Sequence, residues 1–328
     1  MHPILTLPTS MGPLTTVSFS NIVDGQRCDT GVIHQGQDPR SKSLLWPVPS
    51  ATAQDLDKVV QAAQAAFPSW SATPWECRQD VLRALAAALR AGKHFFSAVV
   101  SKETGKTNSM VSRTPLFKSH NVTDSVPDRK PLRQSRTKQV YVHRDIYMQF
   151  RDRLIEEVNL LAGSTDPATP SVYGPMQNNM QYSVVQDIIE DCMVRGFNFS
   201  LGGKPLARQD SMFIPPTIIE NPSDDSRVVQ EEQFGPIIPL LSWESEDEVI
   251  RRVNGTNCGL GASVFSSDVS RADGIGRQLE VGSVWLNSFS KPHPAGYFSG
   301  HKQSGIGGEW GKQGLFAYCA AQSIHVYQ

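Results

Sequence analysis

Long apolar runs are missing from this chain. No stretch reaches the eighteen or so consecutive apolar residues of a membrane-spanning helix, so a membrane partner is not expected. The first seventeen residues, MHPILTLPTSMGPLTTV, carry no Lys or Arg and have no secretory-leader pattern, which makes the cytoplasm the expected compartment. An excess of either charge is missing as well. Against 31 Lys and Arg stand 32 Asp and Glu, a net charge of -1 that leaves no basic footprint for nucleic acid. Cysteine is scarce, at five, and Cys28, Cys77, Cys192, Cys258 and Cys319 are far apart. Without a C-x-x-C pair or a His/Cys set at zinc spacing, neither a disulfide framework nor a metal site is expected.

What is present reads as an α/β chain. Residues 17–24 suit a strand ending in the turn Asp24-Gly25. Thr52 and Asp55 form a capping-box pattern ahead of Leu56, Val59, Val60, Ala63 and Phe67, an amphipathic series that Pro68 is expected to stop. Helices follow over about 75–91 and 93–103, with Leu82, Leu85 and Leu89 on one face of the first and Gly105 closing the second. Residues 111–136 break this order. They are polar and aperiodic, and from 111 to 140 seven Lys and Arg stand against two Asp. With no aromatic residues interleaved for stacking on bases, this segment reads as a basic linker rather than a binding arm. Beyond it, Gln139 to Val142 suits a strand, and helical series follow through Ile146–Leu161 and Tyr182–Cys192. Ile237 to Leu241 suits a buried strand, although Pro239 argues against a central place in a sheet. Strand-like stretches at 261–266 and 282–287 enclose a helix at 270–280, and Ser323 to Tyr327 alternates like an edge strand. Such alternation implies a largely parallel sheet covered by helices.

Particular strings then narrow the reading. Glu231-Glu232-Gln233-Phe234-Gly235-Pro236, Asn257-Cys258-Gly259-Leu260-Gly261-Ala262-Ser263-Val264, Gly282-Ser283-Val284-Trp285-Leu286-Asn287 and Lys302-Gln303-Ser304-Gly305-Ile306-Gly307 occur in this order. Val140-Tyr141-Val142-His143 and Gly174-Pro175 lie among them, and Trp70, Thr73-Pro74, Arg78 and Glu103-Thr104-Gly105-Lys106 lie ahead. Together they resemble the aldehyde dehydrogenase superfamily over about 17–110 and 137–328. The resemblance implies NAD(P)-dependent oxidation of an aldehyde to a carboxylic acid, and a fold of cofactor-binding domain, catalytic α/β domain and oligomerisation ribbon. It implies that Glu232 meets the nicotinamide ribose of NAD or NADP, that Phe234 packs beside it, and that Phe298 lines the substrate tunnel. The family's P-F-G-G reads Tyr297-Phe298-Ser299-Gly300 here. Lys302 and Ser304 are read as structural loop residues.

The family reaction needs a thiolate nucleophile, oxyanion donors and a carboxylate base. The family cysteine lies in G-Q-x-C just before the strand matching Val140–His143, where this chain reads Arg133-Gln134-Ser135-Arg136-Thr137. No cysteine stands between Cys77 and Cys192, and the E-L-G-G, P-W-N and G-S-T-x-x-G strings do not occur. Gly163-Ser164-Thr165 repeats the start of the last one and then turns at Asp166-Pro167. Gly25-Gln26-Arg27-Cys28 fits the cysteine motif as a string, but it sits at a turn far upstream of the motif's place in the family. Roughly 150 residues, about a domain's worth, are absent between Lys106 and Thr137. The expected arrangement is therefore the N-terminal part of a cofactor domain at 1–110, a nonconforming linker at 111–136, a catalytic-type α/β domain at 137–310 and an oligomerisation strand at 311–328. The Rossmann-type cofactor domain is mostly missing, no catalytic residue is assigned, and no appreciable NAD(P) binding is expected. The helix faces Val59/Ala63/Phe67 and Leu82/Leu85/Leu89 then have no sheet to cover, and aggregation or a loosely held N-terminal region is expected. Three readings follow: an incomplete form of an active aldehyde dehydrogenase, a shortened noncatalytic relative that joins a homo- or hetero-oligomer, or an enzyme rewired to Cys28 or another thiol.

Overall fold

The computed structural model describes residues 18–28, 31–106, 137–162, 174–203, 212–289 and 293–327. The linker at 111–136 and the Gly163-Ser164-Thr165 string lie outside the described residues.

The chain opens with two hairpins. β1 (Asn21–Val23) pairs with β2 (Gln26–Cys28) across Asp24-Gly25, and β3 (Ile33–Gln37) pairs with β4 (Leu44–Pro49), both antiparallel. Asp24 and Gly25 both take positive φ, 50° and 73°, which suits a two-residue hairpin turn. Three helices follow: α1 (Ala53–Ser71), α2 (Trp75–Ala91) and α3 (Lys93–Thr104). The Thr52/Asp55 capping box is formed in both directions, so two backbone N–H groups that the first turn cannot satisfy are bonded. Pro68 does not stop α1, which runs three residues further. A proline so near the end forfeits a single helical bond, and the hydroxyls of Ser69, Ser71 and Thr73 donate to carbonyls of the last turns. Gly105 ends α3 in the left-handed conformation at φ 68°, where a Cβ would also lie 3.2 Å from Pro175. None of the residues in these three helices is buried.

The second part is built on β5 (Val140–His143), α4 (Arg144–Ala162), α5 (Asn179–Val194), β6 (Asn198–Leu201), β7 (Thr217–Glu220), α6 (Arg227–Gln230), β8 (Ile237–Trp243) and α7 (Glu246–Asn254). The four strands form one sheet in the order β5-β8-β7-β6. The first two pairings are parallel and the last is antiparallel, so the sheet is mixed. β8 is an interior strand despite Pro239, whose register partner in β7 is Ile219. The missing N–H costs at most one ladder bond, while the alternate residues of β8 remain wholly enclosed.

Period-two alternation sets the core. Ile219, Ile237 and Leu241 face α5, where Val185, Ile188 and Cys192 meet them. Val142, Ile218 and Leu240 face the other way, onto Tyr147, Leu154 and Val158 of α4. Tyr147 also donates its hydroxyl to the Leu240 carbonyl at 3.1 Å. Each fully enclosed Leu or Ile contributes about 2 to 3 kcal/mol of apolar burial.

A third layer comprises β9 (Cys258–Gly259), β10 (Gly261–Val264), α8 (Val269–Gly276), β11 (Ser283–Leu286), β12 (Phe298–Ser299), β13 (His301–Lys302), β14 (Gly308–Glu309) and α9 (Gly311–Phe316). β10 and β11 are parallel and joined through α8, which ends at Gly276 rather than near 280. Residues 323–327 form no strand among the described residues: Ile324 is 80% exposed, Val326 82% and Tyr327 91%. Alternation is a necessary condition for a strand, and a strand also needs a neighbour, which the described residues of this chain do not supply there.

Candidate functional site

Two edges of the four-stranded sheet differ in kind. At the carboxyl ends of the parallel strands, where open α/β sheets ordinarily bind ligands, charges are paired off. Arg252 donates to both carboxylate oxygens of Asp224, at 2.9 to 3.0 Å, and to the Ser242 carbonyl at 2.6 Å. Arg144 pairs with Glu244 at 2.8 Å and Arg151 with Glu220 at 3.4 Å. His143 and Trp243 close that edge with rings 4.7 Å apart, edge to face.

The amino edge holds the sequence-predicted residues. The 231–236 loop leads into β8, and Thr137 to Gln139 lead into its parallel neighbour β5, so topology places the two segments side by side. Gln233, 2% exposed, fastens them: its side-chain amide donates to the Val228 carbonyl and, at 3.3 Å, to the Lys138 carbonyl. Its own carbonyl accepts from Gln181 of α5 at 2.8 Å. Lys138 and Gln139 return the favour, donating to the carbonyls of Gln230 (2.6 Å) and Val229 (2.7 Å). Gly235 packs so close to α5 that a Cβ would lie 2.7 Å from Val185. Glu231 forms a two-bond pair with Arg227, which holds its carboxyl below the usual carboxylate range against a smaller opposing effect of burial.

With Gln233 turned inward, its neighbours turn outward. Glu232 is exposed, and Phe234, at φ 43°, is 54% exposed. An exposed aromatic in a left-handed conformation is costly unless the loop over-determines it, as the Gln233 and Gly235 contacts do here. Phe298 lies half-buried in β12, its ring 5.8 Å from that of Trp310. The adjacent β13 pairs with β9, Lys302 opposite Cys258, and Cys258 lies 3.8 Å from the Lys138 ammonium. The 298–309 segment is thereby attached to the edge that carries Glu232 and Phe234. Lys302 donates to the carbonyls of Asn254 (2.6 Å) and Thr256 (3.0 Å) and pairs with Glu280 at 2.8 Å; Ser304 accepts from the Gly259 N–H at 2.8 Å. Cys28 ends β2, and its thiol donates to the Gln26 carbonyl at 3.7 Å. The roles of Gln233, Lys138 and Cys258 escape sequence reading, although Gln233 stands inside a motif and Lys138 just before a strand.

The aldehyde dehydrogenase family model matches residues 30–122 and 134–324, most of the chain. The chain belongs to the aldehyde dehydrogenase family. The unmatched break, 123–133, falls inside the expected linker and is shorter than it. Among curated relatives, a putative aldehyde dehydrogenase, FUS7, of Gibberella fujikuroi is 38% identical over 192 residues, covering 58% of this chain and 40% of the relative. Retinal dehydrogenase 2 of Gallus gallus is 33% identical over 189 residues, covering 57% and 36%. The chain thus spans about two-fifths of the length of the curated relatives it matches. Betaine aldehyde dehydrogenase from Staphylococcus aureus, in complex with NAD+, superposes with a TM-score of 0.80 at 19% identity, covering 93% of this chain and 94% of that one. At that identity the likeness establishes the fold alone, a mixed α/β aldehyde dehydrogenase-like arrangement.

Proposed function

We propose that this chain is a noncatalytic aldehyde dehydrogenase relative: a catalytic-type α/β domain at 137–310 that has lost the means to perform NAD(P)-dependent oxidation of an aldehyde to an acid. The observation that carries this reading is the occupancy of the amino edge of β5. Where the family's cysteine motif precedes that strand, this chain reads Arg133-Gln134-Ser135-Arg136-Thr137 without a cysteine, and the next two residues, Lys138 and Gln139, have their side chains committed to the carbonyls of Gln230 and Val229. Both serve as struts, and the segment supplies no thiol to attack an aldehyde.

NAD or NADP, the family's cofactor, finds no matching pyrophosphate turn at the three N-terminal helices. Pyrophosphate needs a strand turning into a helix whose first N–H groups are free. α1 follows an antiparallel hairpin, and its first turn is capped by its own Thr52 and carries Asp55, which would repel a phosphate. α2 begins with Glu76 in its first turn, and α3 follows a helix directly. Glu232 and Phe234 keep the positions that, in the family, meet the nicotinamide ribose and pack beside it, without an anchor for the rest of the dinucleotide. No step of the reaction is assigned to this chain through that cofactor. Calorimetric titration of the full chain with NAD+ and NADP+ is expected to show no binding at millimolar concentration, and aldehyde-dependent NADH formation is expected to be absent. Tight binding, or turnover abolished by Cys28→Ser or Cys258→Ser, would overturn the reading.

A role as partner subunit is favoured by a separate observation. The expected oligomerisation strand at 311–328 carries exposed Ile324, Val326 and Tyr327, with no ladder among the described residues. Homo- or hetero-oligomer formation through this segment is the use that such an unpaired alternating stretch supports.

A further inference from the structure

One contact at the amino edge is left unused by the family reading. The Lys138 amine lies 3.8 Å from the Cys258 sulfur, although 120 positions separate the two in the chain. Both groups are half-buried and held from behind. Lys138 is anchored on the Gln230 carbonyl at 2.6 Å, and Cys258 is fixed by its ladder with Lys302 and by its thiol's bond to the Asn257 side-chain carbonyl at 3.4 Å. The other cysteines stand differently. Cys28 and Cys319 donate to carbonyls two and four residues away, Cys192 is enclosed, and Cys77 is exposed on α2. Among the described residues Cys258 is the cysteine with an amine in contact.

We propose that Lys138 and Cys258 form a modification site at which a hydroperoxide-class oxidant couples the lysine amine to the cysteine sulfur. The chemistry has two steps. The Cys258 sulfur attacks one peroxide oxygen, the O–O bond breaks, and the products are a sulfenic acid and water; sulfur is oxidised by two electrons and peroxide reduced by two. The Lys138 nitrogen, in its neutral form, then attacks the same sulfur. An N–S bond forms, the S–O bond breaks, and the hydroxyl leaves as a second water with a proton from nitrogen. One peroxide is consumed and the linked pair carries two hydrogens fewer than the separate side chains. A small thiol reverses the link by attacking sulfur and releasing the amine. A neighbouring amine offers a trap for the sulfenic acid before further oxidation. The link would tie the approach to β5 to β9 across a long loop, restricting the unfolded chain as a disulfide does. This inference is independent of the noncatalytic reading, since it uses neither aldehyde nor dinucleotide.

The test is peptide mass spectrometry of the full chain after brief treatment with stoichiometric hydrogen peroxide and alkylation of the remaining thiols. The expected product is a peptide pair joined through Lys138 and Cys258, lighter by two hydrogens and separated by dithiothreitol. It should form only while the chain is folded and be lost in denaturant, because it depends on the 3.8 Å approach of the two groups. In Lys138→Arg, which keeps a cation but removes the amine, Cys258 should instead accumulate as a sulfenic acid that dimedone labels. The proposal is overturned if Cys258 stays reduced while the other exposed thiols oxidise. It is equally overturned if wild type and Lys138→Arg give the same dimedone adduct with no joined peptide.

Discussion

Residues 53–104 and 137–254 contain helices of similar length and regularity, yet they solve different problems. α1 and α2 are amphipathic, α1 begins with a full capping box, and neither buries a residue: Val59 is 41% exposed, Phe67 63%, Leu82 64% and Leu85 44%. α4 and α5 lie on opposite faces of a sheet and enclose Leu154, Val158, Val185, Ile188 and Cys192. Caps and propensities are therefore enough to shape a helix but not to stabilise it, because most helical stability in a protein comes from the face that is covered. Among the described residues nothing covers the apolar stripes of α1 and α2, and they stay exposed.

Thiol labelling offers the sharpest way to break this comparison. Cys77 is exposed on α2, whereas burial pushes the Cys192 thiol up to about 11, with the Asp191 carboxylate adding to the effect. Under native conditions Cys77 is expected to react at least about a thousandfold faster than Cys192, whose labelling should require opening of the core. Comparable rates would mean that the sheet is no more secure than the helices. Next in size, Leu240→Ala should cost about 3 to 4 kcal/mol in a denaturant melt followed by a core probe. Leu85→Ala should cost less than about 1 kcal/mol, since its site is already wet. Equal losses would show that α2 is covered in solution.

A smaller effect concerns Asp38, the buried carboxyl that Lys102 of α3 reaches. Burial pushes the Asp38 carboxyl up, but the Arg40 N–H, the Lys102 ammonium at 3.0 Å and the Ser41 N–H outweigh it and hold it below its usual range. A depressed carboxylate pKa stabilises above the unfolded value of 3.8 and loses that contribution as pH falls through the folded value. Acid unfolding of the 31–106 segment is therefore expected below about pH 4. Asp38→Asn should flatten that pH dependence and cost about 1.5 kcal/mol at neutral pH. A pH profile unchanged by the substitution would remove Asp38 from this role.

Much of this was legible from the residues in order. The capping box at Thr52, the αL stop at Gly105 and the hairpin turn at Asp24-Gly25 are contests between a side chain or a dihedral and its immediate neighbours, so a few residues settle them. The family strings are similarly local, and they located the loop that carries Glu232 and Phe234. Pro68 and Pro239 were misleading for one reason: a proline's local cost is small beside what its element gains elsewhere, through hydroxyl donors at the end of α1 and enclosure on both faces of β8.

Everything that joins distant segments came from the folded chain. The inward turn of Gln233 that leaves Glu232 and Phe234 facing out, the struts from Lys138 and Gln139, and the approach of Cys258 to Lys138 depend on β5 and β8 being parallel neighbours and on β9 meeting β13. The exposure of the α1 and α2 stripes among the described residues belongs to the same class, since an apolar stripe shows that a helix has something to bury but not whether a surface is there to receive it. The missing ladder at 323–327 completes the set: alternation is written into the chain, whereas a partner strand must be brought to it through space.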